Sequence, residues 1–195
     1  MLQTYLKIYN AFLSLLWAVV LAFFLYNGGH LSFENLVLLN IAQGAALLEI
    51  LHTALGWVKS PVFTTAIQVS SRVFILLLIN ILFGSEYVDV LGINGLHLAV
   101  LAWSITEIIR YAYYLMLLLK KKLSWLTFCR YTFFIFLYPI GVTGELLILW
   151  TWATQNGFGF YKWDIWFAGI VAALYVIFFP QMYKHMWKQR AKKLN

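Results

Sequence analysis

The chain has 195 residues, of which 63% are hydrophobic and 11% are charged, and its formal net charge is +7. A soluble domain of this size cannot bury so much apolar surface, so the composition excludes a water-soluble enzyme and predicts one integral membrane domain over residues 1–195. The lysines and arginines cluster at the ends of apolar segments, which favours a role in membrane topology over nucleic-acid binding.

Six apolar segments follow one another along the chain. Each is long enough to cross a bilayer, because one crossing needs about 20 mostly apolar residues. The connections are short and no internal repeat is visible, so the sequence predicts an all-α polytopic bundle of six transmembrane helices. The segments cover residues 8–26, 36–55, 62–83, 96–118, 124–153 and 164–183.

The fifth segment is longer than one crossing requires, since about 30 helical residues span about 45 Å. It is either one tilted helix with a bend at Pro139 and Gly141, or two shorter helices. Loop charge favours one crossing, which places both termini in the cytosol beside Lys7, Lys59, lysines 120–122 and the basic C-terminal run. The loops on the other side then hold Glu34, Glu86, Asp89 and Lys162.

Several ionisable or amide side chains lie inside the predicted crossings. A charge at the bilayer centre costs roughly 2.5–3.5 kcal/mol on insertion scales, so we expect these groups to face the bundle interior and to pair. Glu107 and Arg110 are three residues apart on one helix face, and mutual neutralisation explains that pair as well as a functional role does. The set comprises Gln43, Glu49, His52, Gln68, Arg72, Glu107, Arg110 and Glu145.

Two familiar kinds of site are not supported by the spacing of polar residues. Glu49 and His52 form a single Glu-x-x-His in a chain with four histidines, which argues against a di-iron centre and predicts a hydrogen-bonded, interfacial His52. Cys129 is followed at once by Arg130, so the phosphate-binding loop of a cysteine phosphatase is missing. We expect neither a metal nor a cofactor.

Tyr138 and Glu145 lie seven residues apart in the fifth segment. Seven helical residues rotate about 700°, so both side chains leave one helix face about 10.5 Å apart along the axis. The intervening residues are small and prone to bending, which lets another helix or a ligand approach. On spacing alone, an interfacial tyrosine with a protonated carboxyl is a slightly better explanation than a catalytic pair.

Four blocks of sequence resemble the very-long-chain, PASTICCINO2-like 3-hydroxyacyl-CoA dehydratase family, formerly described as tyrosine-phosphatase-like. The resemblance spans most of residues 5–190, and the blocks occur in the family's order with similar spacing. Ile140, Gly144 and Lys59 depart from the commoner family residues, but no departure removes a catalytic group. The blocks are LLEILH at 47–52, KSPVFTTAIQVSSR at 59–72, WSITEIIRY at 103–111 and LYPIGVTGEL at 137–146.

The resemblance implies a lyase that converts (3R)-3-hydroxyacyl-CoA to trans-2-enoyl-CoA in long- and very-long-chain fatty-acid elongation. It matches Tyr138 and Glu145 to the family's catalytic pair, and either residue is a candidate for taking the C2 proton. Apolar helix faces would hold the acyl chain, and the cytosolic lysines would meet the CoA phosphates. We expect the substrate-binding residues to be Arg72, Gln68, Arg110, Glu107, Arg130 and Glu49, the first three being candidate donors to the thioester oxygen.

Two other functions are compatible with parts of this pattern. One is a catalytically silent scaffold for other elongation enzymes, which we expect as partners in either case. The other is a proton or solute carrier that uses Glu49, Glu107 and Glu145, although carriers of this kind are often built from repeats. Lys192 and Lys193 resemble a dilysine signal for retrieval to the endoplasmic reticulum membrane, and ordinary basicity near the membrane explains them equally well without the resemblance.

Overall fold

A computed structural model describes residues 1–84, 87, 89–90, 93–156 and 163–194. The described chain is helical except for two-residue strands at Asp89–Val90 and Ile93–Asn94, which pair in antiparallel fashion. A π-helical turn, Trp152–Asn156, extends the sixth helix. The helices are α1 (Leu2–Tyr26), α2 (Phe33–Ala54), α3 (Val62–Ile81), α4 (Gly95–Leu118), α5 (Ser124–Thr132), α6 (Phe134–Thr151) and α7 (Trp163–Leu194).

Five helices in the described part of the chain are long and apolar enough to cross a membrane: α1, α2, α3, α6 with its π turn, and most of α7. The 24-residue α4 is also long enough, but it carries Glu107 and Arg110 and lies at the centre of the bundle, packed on α1 and α6. The predicted all-α, polytopic membrane fold is confirmed. Six crossings with both termini in the cytosol stay a prediction, and two of its loop residues, Glu86 and Lys162, lie outside the described residues.

The first helix shows why these sequences fold as a membrane bundle. Leu13, Trp17 and Val20 are fully buried at spacings of four and three residues, so they form one stripe directed at the other helices. The opposite face is equally apolar, and Ile8 and Phe12 on that face are more than half exposed. A helix that is apolar on both faces is stable where the surrounding solvent is lipid.

Two glycines bring α4 and α6 into backbone contact. A Cβ atom added at Gly144 would lie 2.5 Å from the backbone nitrogen of Ala99 and 2.7 Å from the carbonyl oxygen of Gly95. One added at Gly95 would lie 2.6 Å from the Cβ atom of Leu147. Small residues at a helix crossing allow this close approach in membranes, and here it presses the residue after Gly144, Glu145, against α4.

The fifth predicted segment is two helices, α5 and α6, which is the second of the two alternatives that the sequence left open. Proline disturbs the turn that precedes it, which is consistent with a break at Phe133 upstream of Pro139. Because Pro139 has no N–H group, the carbonyl of Ile135 lacks its helical partner, and the Tyr183 hydroxyl donates to that carbonyl at 3.2 Å. The nine-residue α5 is too short to cross a bilayer, so a single crossing here depends on α6.

Candidate active site

A cavity of about 510 Å³ lies among α3, α4, α5, α6 and α7. Most of its wall is apolar, with phenylalanines from α3, α6 and α7, and polar groups are concentrated on the α3 and α4 side. Of the eight predicted site residues, Glu49 lies outside the cavity wall. The seven that line the cavity are Gln68, Arg72, Glu107, Arg110, Arg130, Tyr138 and Glu145.

The α6 contribution to the cavity follows helical spacing. Tyr138, Gly141, Val142 and Glu145 recur at intervals of three and four residues, and all four line the cavity. Glu145 is 7% exposed, so its carboxyl is almost fully withdrawn from solvent and lipid. The tyrosine and the carboxyl that are seven residues apart in the sequence therefore line the same cavity.

Two neighbouring helices hold the Glu145 carboxyl. The indole N–H of Trp103 on α4 donates to Oε1 at 2.8 Å, and the Tyr175 hydroxyl on α7 donates to Oε2 at 2.7 Å. Within the described chain both of these partners are donors, which suits an ionised carboxylate because a carboxylate only accepts hydrogen bonds. The arrangement leaves the carboxyl able to accept a proton from a bound molecule.

The sequence analysis missed Trp103 and Tyr175. Trp103 precedes Glu107 by four residues and Arg110 by seven, so the helical period of α4 places it on the polar face and would have revealed it. Tyr175 lies within the apolar run VAALYVIFF, and a hydroxyl at bilayer depth is the one feature of the sequence that could have identified it as a site residue.

Tyr138 is held mainly by its ring. The ring stacks on Phe179 with centroids 5.1 Å apart and an interplanar angle of 7°, while the hydroxyl donates to the Met182 sulfur at 3.4 Å. A thioether sulfur is a weak acceptor, so an oxygen-containing ligand would easily replace it. The Tyr138 hydroxyl is thus fixed in position and available as a donor.

A largely buried ion-pair network lies at the α3 and α4 side of the cavity. Glu107 pairs with Arg72 on α3 and accepts a hydrogen bond from Nε of Arg110 at 2.7 Å. Arg110 also donates to both oxygens of Glu49 on α2, at 2.8 and 2.5 Å, and the Tyr111 hydroxyl donates to the same carboxylate. Two cations and two anions cancel in sum, which makes their burial tolerable.

This network distinguishes between the candidate donors to a substrate. Arg110 commits Nε and both terminal nitrogens to carboxylates, so its capacity for a new ligand is largely used. Arg72 donates Nη1 to Glu107, and a guanidinium has five N–H groups, so others are left for the cavity that Arg72 lines. Gln68 lines the cavity one helical turn before Arg72.

The sequence also led to predictions about His52 and about Cys129 with Arg130. The Tyr5 hydroxyl and Nε2 of His52 form a 2.9 Å hydrogen bond, and the His52 ring packs on Tyr9 and Trp57, so the predicted interfacial, hydrogen-bonded histidine is confirmed. Cys129 and Arg130 line the cavity on α5, where the Arg130 guanidinium carbon lies 6.0 Å from the centre of the Tyr131 ring.

A family model described as protein tyrosine phosphatase-like protein, PTPLA, matches residues 43–195. The chain belongs to this family. All four sequence blocks and all eight predicted site residues lie within the part that matches the PTPLA family model. The phosphatase-like description names a resemblance, and the Cys129-Arg130 pair of this PTPLA member lacks the spacing of a phosphate loop.

Curated relatives of the chain carry dehydratase names, which confirms the resemblance drawn from the sequence blocks. The very-long-chain (3R)-3-hydroxyacyl-CoA dehydratase hpo-8 of Caenorhabditis elegans is 38% identical over 218 residues, covering 99% of this chain and 95% of the relative. Dehydratase 2 of Mus musculus is 37% identical, covering 98% and 81%. The Arabidopsis thaliana dehydratase PASTICCINO 2 is 34% identical, covering 99% and 94%. No solved structure matches the chain.

Proposed function

We propose that the chain is a hydro-lyase that converts (3R)-3-hydroxyacyl-CoA to trans-2-enoyl-CoA in long- and very-long-chain fatty-acid elongation. The names of relatives that match almost the whole chain support this reaction. The observation that carries the proposal is the single cavity lined by both Tyr138 and Glu145, because dehydration needs a base at C2 and an acid at the C3 hydroxyl.

In the proposed reaction, the Glu145 carboxylate takes the proton from C2. The electron pair of the C2–H bond is delocalised onto the thioester oxygen and then forms the C2–C3 double bond as the C3–O bond breaks. The Tyr138 hydroxyl gives its proton to the departing oxygen, which leaves as water. The released water then carries the proton of Glu145 to the Tyr138 phenolate, which restores both groups. Trp103 and Tyr175 donate hydrogen bonds that suit an ionised Glu145, which supports its role as the base. The Tyr138 hydroxyl donates only to a weak sulfur acceptor, so its proton is available to the substrate, which supports its role as the acid.

Negative charge develops on the thioester oxygen while the C2 proton leaves. Preorganised hydrogen-bond donors in a site without water stabilise such charge strongly. We assign this task first to Arg72 and then to Gln68, because Arg110 is already bound to two carboxylates. Glu107 and Glu49 would then act through the arginines, by holding the guanidinium groups in place.

The nucleotide of the substrate would stay in water at the end of the bundle that carries Arg130. Lysines 120–122 lie in the short connection between α4 and α5, next to this end, and Lys59 lies between α2 and α3. Lysine ammonium groups are point charges that bind phosphate without a fixed orientation, which suits the flexible CoA head. Arg130, on the cavity wall, would contact the adjoining part of CoA.

Turnover of 3-hydroxyacyl-CoA by the purified protein in liposomes tests the reaction. We expect Glu145→Gln and Tyr138→Phe each to lower kcat by about 100-fold or more, the range typical for loss of an acid or base. Tyr113→Phe is the matched control, because Tyr113 is a buried tyrosine that does not line the cavity. Wild-type rates for either site variant would exclude the proposed mechanism.

The proposed setting is the endoplasmic reticulum membrane, together with other enzymes of fatty-acid elongation. The C-terminal lysines support retention in that membrane. A catalytically silent scaffold is distinguished by the same preparation: it would co-purify with elongation enzymes while wild-type protein turns over no 3-hydroxyacyl-CoA of any length. A carrier that uses Glu49 and Glu107 is disfavoured, because both carboxylates are bound to arginines.

A further inference from the structure

The cavity is smaller than the substrate of the proposed reaction. Pockets of about 300–1,000 Å³ enclose a ligand of ordinary drug size, and the volume here is about 510 Å³. A CoA thioester with a very long acyl chain is much larger than such a ligand. Part of the acyl chain must therefore lie outside the cavity even when the nucleotide is left in water.

Aromatic rings close the end of the cavity farther from Arg130. Phe74, on the cavity wall, packs edge-on against Phe167 with centroids 5.9 Å apart, and Phe167 packs in the same manner on Trp152 at 6.0 Å. Trp152 follows Glu145 by seven residues, which corresponds to about 10.5 Å along a helix. An acyl chain that runs past Glu145 along the bundle axis meets this ring cluster after about two turns.

The side of the cavity between α6 and α7 is also closed. Tyr175 donates its hydrogen bond to Glu145 there, and Phe179 stacks on Tyr138. These contacts fix the orientation of α7, because Tyr175 and Phe179, at one edge of its cavity-facing surface, bind residues of α6. The other edge belongs to Leu174 and Phe178, which precede Tyr175 and Phe179 by one residue and so point about 100° away from them.

The side of the cavity between α3 and α7 reaches the surface of the bundle. Leu174 lines the cavity and is nevertheless 46% exposed, and Ser70 on α3 lines it and is also exposed. Among the described residues, α3 packs chiefly on α2 and α6, and α7 on α5 and α6. Both residues lie within candidate membrane spans, so we expect hydrocarbon outside this opening.

We infer that the substrate's acyl chain leaves the bundle sideways between α3 and α7, past Ser70 and Leu174, into the bilayer. The protein then binds the carbons nearest the thioester, and lipid surrounds the remainder. The cavity wall therefore sets no upper limit on the length of a long acyl chain. This inference rests on the proposed dehydration, because it concerns the same substrate in the same cavity.

Blocking the opening tests the route. We expect Leu174→Trp, which places a large ring in the opening, to lower the ratio of kcat/KM for 3-hydroxyicosanoyl-CoA to that for 3-hydroxyhexanoyl-CoA by about tenfold, as a steric misfit in an apolar pocket does. Ser70→Trp blocks the opening from α3 and should lower the same ratio. Val176→Trp is the control, because Val176 is 72% exposed and does not line the cavity.

Each outcome of this experiment separates the two proposals. An unchanged ratio in Leu174→Trp and Ser70→Trp, or an equal loss for both substrates, would overturn the lateral route while leaving the dehydration intact. Wild-type protein that turns over neither substrate would instead overturn the proposed reaction. A lowered ratio in both variants, with Val176→Trp at the wild-type ratio, supports the route.

Discussion

Glu145 receives one hydrogen bond from α4 and one from α7, and this makes Tyr175 and Trp103 positioning residues for the proposed base. Hydrogen bonds to charged groups are worth about 1.5–3 kcal/mol, which corresponds to roughly ten- to hundredfold in rate. We expect Tyr175→Phe and Trp103→Phe each to lower kcat within that range while KM changes little. Steady-state kinetics of each variant measures the division between kcat and KM.

A structural role for Tyr175 would give a different result. If Tyr175→Phe acts through Glu145, adding it to Glu145→Gln should produce no further loss, because residues that act as a unit are not additive. Tyr113→Phe is the control: Tyr113 is a buried tyrosine whose hydroxyl meets that of Tyr131 at 3.5 Å, away from the cavity wall. Losses that simply add in the double variant would contradict the positioning role.

At the scale of single residues, the sequence predicts how side chains on the same helix lie relative to one another. The sequence gives two such relations, each within one helix: the rotation of about 700° between Tyr138 and Glu145, and the three-residue spacing of Glu107 and Arg110. The pairing of Arg110 with Glu49 and of Glu107 with Arg72 depends on how three helices meet. Helical spacing carries no information on that register, so the network was beyond prediction although its members were identified.

The contact between α4 and α6 predicts an effect at the scale of whole elements. Gly144 has no space for a side chain, because an added Cβ atom would lie 2.5 Å from the Ala99 nitrogen. We expect Gly144→Ala to lower the free energy of unfolding by about 1–3 kcal/mol, the usual cost of overpacking. Thermal or denaturant unfolding of the protein in detergent micelles measures this change.

A second glycine provides the comparison for that substitution. Gly44 on α2 has nothing within 4 Å of an added Cβ atom, so Gly44→Ala should leave stability unchanged or raise it slightly. Equal stability of Gly144→Ala and the unmodified protein would show that α6 can move away from α4 without cost. The same contact explains why a glycine occupies position 144.

The ends of elements were predicted less well than their cores. The apolar segments 8–26 and 164–183 correspond to the longer helices α1 (Leu2–Tyr26) and α7 (Trp163–Leu194). Hydropathy detects the part of a helix that lies in hydrocarbon, and the polar turns beyond it stay helical without an apolar signal. The break at Phe133 was not located, because neither glycine nor proline marks a helix end there.

The length of α7 has a consequence at the scale of the whole molecule. Its 32 residues span about 48 Å, well beyond the roughly 30 Å of hydrocarbon, so the C-terminal turns extend out of the bilayer. If that end is cytosolic, the lysines at 192 and 193 are accessible as a retrieval signal. We expect the double substitution Lys192→Ser and Lys193→Ser to move the protein out of the endoplasmic reticulum, as seen by fluorescence microscopy.

The control for relocation removes the same charge from the same helix. Lys184→Ser with Lys188→Ser leaves the two terminal lysines in place, so this variant should stay where the unmodified protein is. Relocation of both double variants would point to general basicity, and relocation of neither would mean that partners hold the protein.

The ion-pair network also constrains how the chain is made. Ribosomes deliver α2 and α3 before α4, and these two helices bring Glu49 and Arg72 into the membrane while the central helix is still unsynthesised. Each lone charge costs roughly 2.5–3.5 kcal/mol at bilayer depth until its counterion arrives. The entry of α4 brings Glu107 to Arg72 and Arg110 to Glu49, so we expect stable packing of α2 and α3 in the membrane to depend on the insertion of α4.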